Sequence, residues 1–264
     1  MKAKAAATVA ARYEIAMGRW SRRLARVFLT FSEPAPGGPM IDVGCGTGSL
    51  SLAAATQYPE ARILGVDLLP EFVSEALRHA APNARFETGN ASALPAPDDA
   101  FAAAVCQLVL NDIPDPERAV REMVRVTQPG GVVAAAVWDR GGGLGFLRLF
   151  LDSAALMEPE GEALRSAVLN IRLRSEDDLI AMWNEAGLRQ IEAATLSVRM
   201  DFVDFHDYWE TVLGAHELVR NFVAGLRLEP AAHLKAAVRR AYLGGIPDGR
   251  RSFVASALAV RGVV

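Results

Sequence analysis

The hydrophobic residues of this chain form short continuous runs that alternate with stretches of helical periodicity. A run that is apolar almost throughout is typical of a strand buried on both faces of a sheet. Strands that alternate with helices along a chain predict a parallel, doubly wound α/β fold. The predicted strands are 40–43, 62–67, 84–87, 100–107, 132–138, 189–198 and 252–260, the predicted helices are 8–31, 49–57, 70–79, 116–126, 146–157, 161–170 and 176–186, residues 204–242 are mainly helical, and 128–131 form a turn.

Composition limits the classes of function. The chain has 264 residues, is 51% hydrophobic and carries a net charge of −3 at pH 7. This charge argues against a nucleic-acid partner, because phosphate contacts need clustered basic residues. The two cysteines, Cys45 and Cys106, have neither metal-ligand spacing nor a disulfide pattern, so we expect no metal site and a reducing cytoplasm. No stretch reaches the roughly 18 apolar residues of a membrane span, so we expect no membrane partner.

The most specific motif is MIDVGCGTGSL at 40–50, where Gly44, Gly46 and Gly48 alternate directly after the first predicted strand. Such a turn lets a ligand approach the backbone closely, and dinucleotides and S-adenosylmethionine are its two common ligands. A dinucleotide site has the spacing G-x-G-x-x-G, which places the pyrophosphate at the helix N-terminus. The spacing here is one residue shorter, and Asp42 precedes it. This pattern favours a ligand without phosphate.

Three further segments follow in order. LGVDLLPEF, at 64–72, places Asp67 at the end of the second strand, where a carboxylate can accept from both ribose hydroxyls and Leu68 can cover the adenine. Dinucleotide folds share this acid, so it does not separate the two ligands. ETGNASALP follows the third strand, and FAAAVCQLVLNDIPDPERAVREMVRVTQPGG joins the fourth strand to the fifth.

With these four segments in order, the chain resembles the class I S-adenosylmethionine-dependent methyltransferases, in particular the group of the ubiquinone and menaquinone biosynthesis C-methyltransferases. The resemblance covers 13–139 well and is weaker over 140–264, where SEDDLIAMWNEAGL and SFVASALAVRG still fit the group. It implies a Rossmann-like seven-stranded sheet, mostly parallel with an antiparallel last strand, and S-adenosyl-L-methionine as cofactor. It also implies one domain over 1–264, with a helical lid (1–39), a cofactor-binding core (40–139), a substrate cap that contains the sixth strand (140–245) and the last strand (246–264).

The resemblance assigns roles to individual residues. The glycine loop would line the methionine part of the cofactor, Asp42 would reach its amino group directly or through water, and Asp67 would hold the ribose. Asn90 departs from the family, where an aspartate is usual, and its amide oxygen would accept from the adenine without charge assistance. The implied cofactor-binding residues are Trp20, Arg22, Asp42, Gly44, Cys45, Gly46, Gly48, Asp67, Leu68, Asn90, Ala91, Gln107 and Leu108.

The implied reaction transfers a methyl group to a small molecule. Alignment and exclusion of water are then the main tasks of the protein, and a base is needed only if the nucleophile must lose a proton. Candidate bases are Asn111, Asp112, His206, Tyr208 and His216, with none preferred. The cap predicts a small, largely apolar or aromatic acceptor, because it is rich in such side chains. These are Phe146, Leu149, Phe150, Trp183, Phe202, Phe205, Tyr208, Trp209 and Phe222.

Two other functions stay open from the sequence. The chain could bind the cofactor without methyl transfer, as a sensor or a cofactor-dependent cyclase, and Asn90 is the one departure that hints at such a change. A nicotinamide oxidoreductase is disfavoured by the glycine spacing. The sequence determines neither the acceptor, nor the methylated atom, nor the oligomeric state.

Overall fold

A seven-stranded sheet lies at the centre of the protein, in a computed structural model that describes residues 9–170 and 172–264. Its strands are β1 (Met40–Val43), β2 (Ile63–Asp67), β3 (Ala84–Thr88), β4 (Phe101–Gln107), β5 (Thr127–Trp138), β6 (Arg189–Phe202) and β7 (Arg251–Val263). Their order across the sheet is β3-β2-β1-β4-β5-β7-β6. Strands β1 to β5 pair in parallel, and β7 runs antiparallel to both of its neighbours. The predicted fold, with its antiparallel last strand, is confirmed.

The strand order places the ligand-binding edge. The chain continues from β1 to β2 and β3 on one side of β1, and then crosses to β4 and β5 on the other side. The boundary between β1 and β4 is therefore a topological switch point. In open α/β sheets, ligands bind in the crevice beyond the carboxyl ends of the strands at that boundary. All four residues of β1 are buried, which explains why they are apolar apart from Asp42. The glycine loop therefore begins at the edge where a ligand is expected.

Helices cover both faces of the sheet. They are α1 (Val9–Tyr13), α2 (Arg19–Ser32), α3 (Ser49–Gln57), α4 (Pro70–Leu77), α5 (Pro116–Val126), α6 (Gly145–Met157), α7 (Gly161–Leu169), α8 (Glu176–Glu185), α9 (Phe205–Ala215), α10 (Glu217–Gly225) and α11 (Leu228–Leu243). Helices α5 and α8 pack on one face of the sheet. The hydrophobic core on the other face includes residues of α2, α3, α6, α7, α9, α10 and α11. Across the described ranges, none of these helices has the length and hydropathy needed to cross a membrane.

The predicted first helix is interrupted. A π-helical turn, Glu14–Gly18, separates α1 from α2, and residues 1–8 of the predicted lid lie outside the described part of the chain. Gly18 makes room for the Glu14 side chain, because a Cβ at Gly18 would collide with the Glu14 carboxylate. Periodicity alone did not reveal this break, since π-helical and α-helical residues share similar apolar spacing over one turn.

Three strand boundaries in the second half of the sheet were also predicted incorrectly. Residues 128–131, predicted as a turn, are part of β5, although the register shifts there from Phe101–Thr127 to Ala103–Val132. Strands β6 and β7 extend beyond their predicted ends, to Phe202 and Val263. The outer strand β6 alternates exposed and buried residues along much of its length, so its end is not marked by a continuous apolar run.

Candidate functional site

The loop after β1 is held in a conformation that requires glycine. Gly44, Gly46 and Gly48 have φ values of +74°, +54° and +89°. The amides of Gly44 and Cys45 both donate to the Val66 carbonyl of β2, at 2.7 and 3.0 Å. A Cβ at Gly44 would collide with the side chain of Val109, just beyond β4. The loop therefore follows the sheet edge closely between β2 and β4.

Asp67 fastens this loop to the next one. It ends β2 and is 7% exposed. Its Oδ2 accepts from the Gly46 amide at 2.8 Å, and its Oδ1 accepts from the Leu69 amide at 2.9 Å. Each carboxylate oxygen still has a free lone pair. Asp67 can therefore hold the loop and accept from ligand hydroxyls at once.

Asp42 is a buried acid with one unsatisfied oxygen. It is 1% exposed, and its Oδ2 accepts from the Ser51 hydroxyl at 2.6 Å. Its Oδ1 has no partner among the described residues. Burial, opposed by the Ser51 hydrogen bonds and aided by the nearby charge of Asp67, raises the pKa of Asp42 to about 7. A cationic donor beside Oδ1 would favour the ionised form.

Gln107 supplies a second unsatisfied acceptor. The register pairs Asp42 with Val105, two residues before Gln107, so Asp42 and Gln107 project from the same face of the sheet. The Gln107 amide nitrogen donates to the Ser21 carbonyl of α2 at 3.1 Å. Its Oε1 is buried and lacks a partner in the part of the chain that the structure describes. Buried acceptors without donors are costly, so this pair fits a ligand that carries N–H groups.

Leu108, directly after β4, has a strained backbone. Its φ is +65°, which is uncommon for a residue with a branched side chain. Its amide donates to the Ala136 carbonyl of β5 at 2.7 Å, and this bond holds the turn in place. Such strain often marks a functional site.

The residues predicted to meet the adenine lie at the surface near the ends of β2 and β3. Leu68 is 64% exposed, Asn90 is exposed and Ala91 is half-buried. The Asn90 Oδ1 accepts from the Ser92 amide at 2.8 Å. The amide oxygen predicted to contact the adenine therefore already stabilises its own turn.

Two residues that the sequence analysis did not single out, Glu14 and Thr47, join the π-helical turn before α2 to the glycine loop. The Glu14 carboxylate accepts from the Thr47 hydroxyl and, at 2.6 Å, from Arg22. Arg22, a predicted cofactor-binding residue, is exposed and forms this ion pair. The sequence contained only weak signals for this contact: Thr47 lies inside the glycine motif, and Gly18 follows Glu14 by four residues.

Trp20, the other predicted lid residue, packs toward the cap. It is 1% exposed, and its ring lies 5.5 Å from that of Phe202 at the end of β6. The Arg19 guanidinium stacks over the indole at 4.2 Å. Among the described residues, the indole N–H has no acceptor. The structure thus connects Trp20 to the contact between α2 and the end of β6 more than to the glycine loop.

The candidate bases occupy different environments. Tyr208 is fully buried, donates to the Phe146 carbonyl at 2.8 Å, and has a pKa raised well above 10.0 by burial. The His206 side chain is 79% exposed. Asp112 and His216 both approach Arg140, at 3.7 and 3.5 Å. Tyr208 is therefore a structural residue, and Arg140 was missed by the sequence analysis.

Asn111, the remaining candidate base, lies in the short 3-10 turn after β4, between Leu110 and Asp112. Its Oδ1 is buried and has no partner within the described ranges. It can accept a hydrogen bond from a ligand, although an amide does not serve as a base at neutral pH.

The aromatic residues of the cap pack mainly against one another. Ring centroids of Phe202 and Tyr208 are 5.5 Å apart, and those of Tyr208 and Tyr242 are 5.0 Å apart. Trp183 lies on the opposite face of the sheet, where its indole donates to the Val133 carbonyl at 3.0 Å. These contacts account for the aromatic content by packing, so that content alone does not define a substrate.

Both cysteines are buried, and the described residues contain no cluster of metal ligands. Cys45 and Cys106 are free and buried, and burial raises the pKa of both thiols. In the residues that the structure describes, no group of three or more His, Cys, Asp or Glu side chains could hold a metal ion. Cys45 acts as a small side chain in the glycine loop, and Cys106 as part of the core.

Known proteins with a similar sequence decide the family. Residues 41–135 match the family described as the methyltransferase domain. The chain carries a methyltransferase domain. The predicted membership of the class I S-adenosylmethionine-dependent methyltransferases is thereby confirmed. The matched segment contains the glycine loop, Asp67 and the carboxyl end of β4.

Two curated relatives carry methyltransferase names. The arsenite methyltransferase of Halobacterium salinarum is 30% identical over 182 residues, which cover 67% of this chain and 44% of the relative. The demethylmenaquinone methyltransferase of Thermus thermophilus is 36% identical over 116 residues, which cover 43% of this chain and 51% of the relative. The chain thus spans about half the length of the curated relatives it matches.

A solved structure shows the same fold over nearly the whole chain. Haemonchus contortus phosphoethanolamine N-methyltransferase 2, in complex with S-adenosyl-L-methionine, superposes with a TM-score of 0.58 at 15% identity. The match covers 98% of this chain and 60% of that protein. The similarity of fold therefore extends beyond the matched segment 41–135 to the chain on both sides of it.

Proposed function

We propose that this chain binds S-adenosyl-L-methionine at the carboxyl ends of β1, β2 and β4 and transfers its methyl group to a small molecule. The observation that carries the proposal is the pair of buried acceptors, Asp42 Oδ1 and Gln107 Oε1, beside the glycine loop. The ammonium group of the cofactor's methionine part supplies the donors that both oxygens lack. Its positive charge also suits a site that contains Asp42 and Asp67.

The other predicted site residues, apart from Trp20 and Arg22, have matching roles in this proposal. Asp67 accepts from the ribose hydroxyls while it holds the glycine loop. Leu68, Asn90 and Ala91 form an open edge for the adenine, which fits their exposure. Gly44, Cys45, Gly46 and Gly48 line the methionine part, together with Gln107 and Leu108.

The methyl group of the bound cofactor is already activated by the sulfonium. The residues of this chain therefore need to align the reactants and exclude water. The hydrogen bond between Glu14 and Thr47 connects the lid to the glycine loop. The hydrogen bond from Gln107 to the Ser21 carbonyl connects the lid to β4. We infer one domain, with 1–39 as the lid, 40–139 as the core, 140–245 as the cap with β6, and 246–264 as the last strand.

We infer a small molecule as methyl acceptor, without a nucleic-acid or membrane partner, in the cytoplasm. The net charge of −3 supports this, since a nucleic-acid binder needs clustered basic residues. We further infer an acceptor that is largely apolar or aromatic in its body; the support is the apolar composition of the cap as a whole, since its aromatic rings pack mainly against one another.

The test of cofactor binding is a thermal shift with S-adenosylhomocysteine. At 100-fold excess over its dissociation constant, the product stabilises by about 2.7 kcal/mol. For a chain of this size, that free energy raises the melting temperature by roughly 5–10 °C. A shift with NADH and none with S-adenosylhomocysteine would refute the proposal. Binding without methyl transfer to any acceptor would support the sensor or cyclase alternative instead.

A further inference from the structure

Three chain segments bring a polar cluster together at the carboxyl ends of β4 and β5. Arg140 follows β5 by two residues, and its side chain is 17% exposed. Its Nη2 lies 3.7 Å from Asp112 Oδ1, in the turn after β4. Its Nη1 lies 3.5 Å from His216 Nε2, between α9 and α10. These residues are not part of the cofactor site described above.

The contact between Arg140 and His216 joins two donors. Burial, followed by the charge of Arg140, lowers the pKa of His216 to about 4, so the ring is neutral at pH 7. A neutral imidazole has a single acceptor nitrogen. That nitrogen is Nδ1, which accepts from the Leu218 amide at 3.2 Å and caps α10. The ring proton is therefore on Nε2, where it faces a guanidinium that can only donate.

The cluster lies where a methyl acceptor would enter. Helix α9 ends directly before His216, and it packs tightly on the π-helical turn of the lid, because a Cβ at Gly214 would lie 2.6 Å from the Ala16 Cβ. Asp112 and Arg140 follow the adjacent parallel strands β4 and β5. The cluster thus lies between the cap and the sheet edge, with the Asp112 side chain 62% exposed and the Arg140 side chain 17% exposed. The Oδ1 of the neighbouring Asn111 is a buried acceptor that has no hydrogen-bond partner within the described residues.

We propose that Arg140 and His216 form an oxyanion subsite for the methyl acceptor, which therefore carries a phenolate-type or carboxylate oxygen on its apolar body. An anionic oxygen between the two N–H groups accepts from both and replaces a donor–donor contact by two hydrogen bonds. The bond from Arg140 is charge-assisted and partly desolvated, which makes it strong. Asn111 Oδ1 can accept from a neighbouring hydroxyl of the same molecule. This inference rests on the methyl transfer proposed above.

The experiment measures binding of small probes to the full chain, free and saturated with S-adenosylhomocysteine, by ligand-detected NMR. The probes are benzoate, 4-nitrophenolate and the neutral benzamide. We expect at least one anion to bind roughly tenfold more tightly than benzamide, because benzamide cannot form the hydrogen bond between an anionic oxygen and Arg140. Whichever anion binds more tightly identifies the oxygen type. Equal binding of all three probes, or binding of none, overturns the subsite.

Variants locate the effect. Arg140→Gln and His216→Leu should each weaken binding of the preferred anion roughly tenfold and leave benzamide binding unchanged. Arg165→Gln, a cap arginine that pairs with Asp152 and Glu162, is the matched control and should change neither. Weakening by the control to the same extent would overturn the assignment. Binding of S-adenosylhomocysteine is measured first and shows whether each variant is folded. If the wild type does not bind S-adenosylhomocysteine, the proposed methyl transfer is refuted, whereas the subsite is still tested by the anions.

Discussion

Replacing Asp42 by asparagine should stabilise the free protein and weaken cofactor binding. Asparagine has nearly the shape of aspartate, so its oxygen can keep the hydrogen bond from Ser51 that now measures 2.6 Å. Its amide nitrogen then lies where the unpaired Oδ1 lies now. The variant removes the buried charge without opening a cavity.

The magnitude follows from the pKa. Burial raises the pKa of Asp42 from 3.8 to about 7. Between these values, the folded protein keeps a proton that the unfolded chain releases, so stability falls as the pH rises from about 4 to about 7. At about 1.4 kcal/mol for each pKa unit, the ionised carboxylate costs the folded protein about 4 kcal/mol. Asp42→Asn should gain up to that free energy of unfolding at about pH 8, and little near pH 4.

Urea unfolding at about pH 5 and about pH 8 measures this difference. Asp177→Asn, on the exposed face of α8, is the matched control and should change little at either pH. In the same variant, Asp42→Asn, S-adenosylhomocysteine should bind more weakly by about 1.5–3 kcal/mol, since its ammonium loses a charged acceptor. A stability gain that does not grow with pH would refute the buried-charge argument. Unchanged affinity would mean that Asp42 does not face the ammonium.

Three further predictions concern the loop and the lid. Asp67→Ala should lower the affinity for S-adenosylhomocysteine by at least about 1.5–3 kcal/mol in calorimetry, because the charged acceptor for the ribose is lost; unchanged affinity would place the ribose elsewhere. Gly44→Ala should lower the melting temperature more than Gly37→Ala, since both positions have positive φ but Gly44 alone of the two would collide with a neighbour, Val109; equal losses would show that the collision is relieved. Glu14→Gln should speed dissociation of S-adenosylhomocysteine several-fold in stopped-flow experiments, because the lid loses its charged contacts to Thr47 and Arg22; an unchanged rate would exclude this contact as a latch.

The core of the fold was predictable because local pattern and burial agree there. Residues 40–43 are apolar apart from Asp42 and are all buried, so the pattern reflects the environment directly. The loop that follows needs positive φ at Gly44, Gly46 and Gly48, and glycine is the residue that adopts it readily. For the same reason, the position of Asp67 at the end of β2 followed from the apolar run before it.

The rest depends on contacts between distant segments, which a single sequence does not encode locally. Glu14 meets Thr47 across 33 positions, and Arg140 meets His216 across 76. The π-helical turn depends on the space that Gly18 leaves for the Glu14 carboxylate. Likewise, the aromatic residues of the cap were predicted to favour an apolar substrate, although Tyr208 and its neighbours pack mainly against one another.

The central claim is methyl transfer from S-adenosylmethionine to a small molecule. The most direct measurement incubates the purified chain and its Asp67→Ala variant with methyl-labelled S-adenosylmethionine and, separately, with RNA, DNA, protein and small-metabolite fractions of a cell extract. We predict that the wild type forms S-adenosylhomocysteine and labels the small-metabolite fraction, and that the variant loses both signals. Label in a macromolecular fraction and not among the metabolites would contradict the account, as would the absence of S-adenosylhomocysteine with every fraction.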